Sequence, residues 1–132
     1  MAFDRNEQIL FVSFAGMRFE TEAQIQRAFE KIRRFWVREC AGAKMYCVID
    51  YTDFALDRAL TAAWAVAVRH AMDHYAIAAV RYTTDISVRA TLRAVAIKIH
   101  LPSNLYATRE DAISVVQGLR ANRIGMVDRE AT

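Results

Sequence analysis

At 132 residues the chain has the length of one domain, and it can bury about two-thirds of the surface its unfolded form exposes, so no metal or disulfide staple is needed. Hydrophobic residues make up 55% and charged residues 25%, a composition that excludes intrinsic disorder. The formal charge of +3 is mild and gives little weight to an acidic partner by itself.

The opening MAFDRNEQ carries Asp4, Arg5 and Glu7 where a signal peptide needs an apolar core. MAF followed by the DRN turn (4–6) leaves room for a short strand that pairs back in a hairpin. EQILFVSFAG (7–16) is β-branched and aromatic and stops at Gly16, so it reads as a strand. Thr21 with Gln24 has the form of a capping box. Ile25, Ala28, Phe29, Ile32, Phe35 and Trp36 then recur at helical spacing, predicting an amphipathic helix over 21–39. KMYCVIDY (44–51) is an uninterrupted apolar run, which suits a strand buried on both faces.

Asp57 is placed to cap a helix over 57–74 that is apolar almost all round. A sheet covers only one side of such a helix. Neighbouring helices, a second subunit or an apolar ligand remain open as the other cover. YAIAAVRY (75–82) reads as a strand, Thr84 or Asp85 as the cap of a helix over 86–98, and SNLYA (103–107) as a short last strand. Thr108 with Asp111 opens a helix over 109–120, and 121–132 is expected to be a loose tail. Strands alternating with helices argue an α/β domain on a largely parallel sheet. The charge-free run ALTAAWAVAV, between Arg58 and Arg69, is far shorter than the ~20 residues that span a bilayer, and a cytoplasmic protein is expected. Cys40 and Cys47 fit reduced thiols.

Catalytic and cofactor motifs are scarce. GxxxxGK[ST], GxGxxG and GxSxG are all absent, so no cofactor is expected. His70 and His74 lie four apart on one helix, but no third ligand is evident and no metal site is expected. Asp50, Asp53 and Asp57 surround one strand-to-helix turn. A phospho-acceptor aspartate would want a lysine after a later strand, where this chain offers Arg81, so caps and turns explain them better. Arg27, Lys31, Arg34 and Arg38 form a basic stripe on the first helix. A solvated face accounts for the stripe. Nucleic acid is not expected, because no basic–aromatic interleaving accompanies it.

The succession of a strand, a helix, VIDYTDFALDRALTAAW, AIAAVRY, a helix with VRATLRAVA, SNLYA and TREDAISVV resembles the STAS domain family over about residues 7–120. These domains include anti-sigma-factor antagonists and the cytoplasmic tails of sulphate transporters. The likeness is to the SpoIIAA-like branch, sometimes grouped with lipid-binding SEC14-like domains. It implies a single α/β sandwich with a mixed, mostly parallel sheet of four or five strands and about four helices. In regulatory members an Asp-Ser-Ser/Thr-Gly motif opens the second helix and its serine is phosphorylated. Here Asp57 falls on the Asp, Arg58 and Ala59 on the hydroxyl positions and Leu60 on the glycine, so the phospho-acceptor is missing and Thr61 is the nearest hydroxyl.

The resemblance and the lack of a catalytic set lead to a non-enzymatic regulatory module that binds a protein partner or itself. A homodimer through apolar helix surface is expected, with Asp53, Asp57, Arg58 and Thr61 in the contact region. The alternative is a carrier of a lipid or other small apolar molecule beside helix 57–74, with Trp64, Val68 and Met72 in its pocket. An enzyme using Asp50 or His70 as general base is a further alternative that lacks an oriented second group.

Overall fold

The computed structural model describes the backbone of residues 1–131 and the side chains of 1–123. The chain forms β1 (Ala2–Asp4), β2 (Ile9–Ser13), β3 (Arg18–Phe19), α1 (Glu22–Cys40), β4 (Met45–Asp50), β5 (Ala55–Leu56), a 3₁₀ turn (Arg58–Leu60), α2 (Thr61–Tyr75), β6 (Ala76–Tyr82), α3 (Ile86–Ile99), β7 (Leu105–Tyr106) and α4 (Arg109–Ala131). The main sheet runs β1-β2-β4-β6-β7. β1 is antiparallel to β2, and every later pair is parallel. The MAF hairpin is present. Asp4 Oδ1 closes its turn by accepting from the Asn6 and Glu7 amides at 3.0 and 3.1 Å.

Strand order follows chain order, so each helix steps the chain one strand along the sheet. α1, α2 and α3 all bury their apolar sides on one sheet face, against Leu10, Val12, Cys47 and Ala79. α4 alone covers the other face, where Ala112 and Val116 meet Ile9, Tyr46, Val48 and Val80. The order never reverses, so the sheet has no switch point of the kind that opens a ligand crevice in doubly wound folds.

Local chemistry sets the helix ends. Both halves of the Thr21–Gln24 capping box form, and α1 stops at Ala41, which adopts a left-handed φ of 51° ahead of Gly42 at 77°. Asp85 caps α3 by accepting from the Ser87 and Val88 amides at 2.9 and 3.3 Å. Asp57 does not cap α2 directly. It accepts from Ala59 N at 2.9 Å and caps the 3₁₀ turn, which delays α2 to Thr61. The pairing of β3 with β5 has no counterpart in the sequence reading. Two residues carry no period, and their hydrogen bonds exist only because the fold brings the two loops together. α4 continues past the expected stop at 120 to Ala131. The side chains of the expected tail beyond Arg123 lie outside the described residues.

Trp64 organises the α1–α3 side. It is fully buried, and its ring centroid lies within 5.0 to 5.2 Å of Phe14, Phe19, Phe29 and Phe54 and 6.5 Å from Tyr51. Those five residues come from the end of β2, from β3, from α1 and from the loop after β4. The tryptophan assigned to an apolar ligand pocket therefore sits at the hub of the core. Trp64→Ala is expected to lower unfolding free energy by about 3–5 kcal/mol in urea titration, with Trp64→Phe costing less. A second expectation concerns the thiols. Burial pushes the Cys47 thiol up to about 12 and also raises Cys40. A thiol reagent at mildly alkaline pH should leave both unmodified in the native protein and react with both in denaturant. Because the folded value lies above the unfolded one, this contribution to stability is complete below about pH 9 and is lost as pH climbs towards 12.

Candidate functional site

The turn after β4 uses most of its polar groups locally. Asp50 Oδ1 accepts from Thr52 N at 2.8 Å, and Thr61 Oγ1 donates to the Arg58 carbonyl at 2.9 Å. Asp57 is committed to its cap. Asp53, at a left-handed φ of 54°, and Arg58 are exposed. Of the four residues expected to meet a partner, which run from the turn after β4 to the start of α2, Asp57 and Thr61 make local hydrogen bonds and Asp53, Asp57 and Arg58 are exposed.

Asp50 and His70 do not converge. Asp50 lies on the α4 side of the sheet, in a cleft of about 270 Å³ shared with Ser13, Tyr82 and Arg109. Burial, and after it the Asp50 carboxylate, push the Tyr82 hydroxyl up. His70 lies on the other side, in a groove of about 540 Å³ between α1 and α2. Its ring stacks on His74 at 4.2 Å, and His74 Nδ1 lies 2.8 Å from the His70 carbonyl. Among the described residues, no three His, Cys, Asp or Glu side chains gather as metal ligands, and no helix is long and apolar enough to cross a membrane.

The basic stripe is exposed along its length at Arg27, Lys31, Arg34 and Arg38. Part of its charge is answered within α1. Arg33 forks onto Glu30 at 2.6 and 2.9 Å, Arg34 reaches the same carboxylate at 3.2 Å, and Arg38 pairs with Glu39 at 3.1 Å. α2 also finds its cover inside the chain, because α1 and α3 flank it and Arg69 donates to the Ile99 carbonyl at 2.9 Å. The apolar surface left open lies mainly on α3. Ile86 and Ile97 are 83% and 74% exposed, with exposed Ala90 and Ala94 between them, while Val66 on α2 is 71% exposed. The spacing of four, four and three places the α3 residues on one stripe. α3 carries Arg89, Arg93 and Lys98 and no acidic residue.

A cavity of about 50 Å³ with an apolar wall lies between α2 and the sheet, lined by Val68, Met72 and Ala79. Val68 and Met72 were expected to line an apolar pocket, whereas Trp64 instead borders a niche of about 10 Å³ beneath α3. Tyr51 and Arg81 line both spaces. Neither was a candidate from sequence. The one available signal was an arginine inside the otherwise apolar strand AIAAVRY.

No family model, curated protein or solved structure matches this chain.

The Arg33 guanidinium, with help from Arg34, holds the Glu30 carboxyl down to about 2. Carboxyl NMR should find Glu30 ionised until pH approaches 2. Because the folded value is depressed, its contribution is present above the ordinary value of 4.5 and disappears as pH falls through 2. Glu30→Gln should remove that dependence, which a midpoint near 4.5 in the parent protein would contradict.

Proposed function

We propose that the protein is a non-enzymatic interaction module of the STAS/SpoIIAA-like type that binds a protein partner. The carrying observation is the α3 stripe, where two isoleucines more than 70% exposed are joined by alanines along a rigid helix. Scattered exposed apolar residues are ordinary, but an aligned row with small residues between large ones suits helix-on-helix packing. The order of strands and helices agrees with the family resemblance, and the one hydroxyl in 53–61, Thr61 at the start of α2, is engaged with the Arg58 carbonyl at 2.9 Å.

Charge selects the kind of partner. With three cations and no acid on α3, two copies packed stripe to stripe would oppose like charges, which is unfavourable by several kcal/mol in close juxtaposition. An amphipathic helix with acidic flanks meets both the isoleucines and the cations. The partner surface accordingly moves from α2, whose sides are covered by α1 and α3, to α3. Asp53 and Arg58 on the exposed loop remain available to a larger partner.

The second reading, a carrier of a small apolar molecule, is supported by the cavity that Val68 and Met72 line. At about 50 Å³ it is far below the roughly 300–1,000 Å³ of sites for drug-sized ligands, so any guest held there is much smaller than a lipid.

The test is native mass spectrometry of protein purified gently from its own cells, beside the Ile97→Glu variant. An added protein mass that Ile97→Glu removes while circular dichroism stays unchanged is the expected result. A doubled chain mass lost in the same variant would make the partner a second copy. A bare monomer in both samples would sink the reading.

A further inference from the structure

Arg81 is a cation in the core. It lies on β6 near the carboxyl ends of the parallel strands and is only 7% exposed. No carboxylate lies within ion-pair distance of it among the described residues. Its side chain makes one hydrogen bond, from Nη1 to the Ser103 carbonyl at 3.3 Å, which is long for a guanidinium. Buried charges are normally paired, because removing them from water is costly.

A second donor stands unanswered beside it. Trp64 Nε1 is fully buried and has no hydrogen-bond partner. Trp36, the other tryptophan, donates to the Ala43 carbonyl at 2.8 Å, as an indole N–H ordinarily does. The Tyr51 hydroxyl is within reach of both groups. Arg81 and the Trp64 N–H both favour its ionised form, but burial outweighs them and pushes the hydroxyl up, so Tyr51 keeps its proton and can donate. Three donors therefore border one niche of about 10 Å³, where the acceptors are the neutral Tyr51 hydroxyl and Ser103 carbonyl oxygens and, among the described residues, no anion pairs with Arg81. Tyr51, Val68 and Arg81 are also walls of the apolar cavity.

We infer that this is a binding site for a short-chain monocarboxylate, its carboxylate held by Arg81, Trp64 and Tyr51 and its hydrocarbon chain lying in the cavity lined by Val68 and Met72. The inference rests on the small-ligand reading and narrows it to one chemical class. Size sets the class: at ~10–15 Å³ per water-sized centre, the cavity of about 50 Å³ takes roughly three to five non-hydrogen atoms and the niche one small polar group. The mixture of fixed donors and an apolar slot matches how small-molecule sites combine orientation with burial.

The two indole N–H signals provide the test, with Trp36 as an internal reference. Sodium butyrate is titrated into the full chain while proton–nitrogen correlation spectra are recorded, and n-butanol is titrated in parallel. The expected result is a saturable downfield movement of the Trp64 indole peak with butyrate, no movement of Trp36, and no comparable effect of butanol. Trp64→Phe assigns the peak, and Arg81→Gln should weaken butyrate binding about tenfold or more. Equal saturable shifts with butyrate and butanol would overturn the carboxylate site and leave an apolar cavity that takes neutral guests. No shift of Trp64 with either probe would overturn both. The wild-type titrations decide between these outcomes even if Arg81→Gln fails to fold.

Discussion

The packing around Trp64 is the constraint on which the α1–α3 side depends. One indole joins α2 to the end of β2, to β3, to α1 and to the loop after β4 through five aromatic neighbours. A buried aromatic removes roughly 150–250 Å² from water. At ~25 cal/mol per Å² that is about 4–6 kcal/mol, comparable with the net stability of a small domain. The same packing fixes where polar atoms end up. The indole packs edge-on or tilted against Phe14, Phe19, Phe29 and Phe54, and the same side chain borders the niche beside Arg81. The core and the donor cluster are thus two consequences of one side-chain placement.

Progressive winding has a related effect. With α1, α2 and α3 side by side on one sheet face, the central helix is flanked on both sides and needs no external cover. The outer helix has only one such neighbour, and its outward row of Ile86, Ala90, Ala94 and Ile97 meets solvent. The helix richest in alanine is therefore satisfied within the chain, while the less conspicuous one keeps an open apolar face. Charge divides along similar lines. On α1 the glutamates at 30 and 39 lie within reach of the arginines and answer part of the stripe, whereas α3 has no acid to do so.

Much of the fold was legible because its signals are local. Helical periodicity, the Thr21–Gln24 box, the Asp85 cap and the Asp4 turn each operate over a few residues, and the four long helices and the central strands follow from them. The signals failed where the deciding contact was distant. β3 and β5 are too short to carry a pattern, and the 3₁₀ turn that delays α2 depends on how Asp57 spends its one capping oxygen. Tyr75 reads as the first residue of a strand, and the structure makes it the last residue of α2.

For the candidate sites the division is sharper. Residue type and spacing were enough to mark Trp64, Val68 and Met72 as apolar residues on an inward helix face, and to set Arg27, Lys31, Arg34 and Arg38 on an outward one. They could not separate the core hub from the cavity wall, since that depends on which rings the sheet brings opposite each side chain. Nor could they pair Arg81 with Tyr51 and Trp64, because these residues sit on β6, after β4 and on α2 and meet only when parallel strands align their carboxyl ends. Sequence by itself determined the α/β class, the order of the main strands and long helices and the caps of α1 and α3, all of which are set by neighbours along the chain. Tertiary structure alone decided which helix kept an open apolar face and which buried donors went without a partner, because solvent exposure and hydrogen-bond satisfaction are properties of what the rest of the chain places nearby.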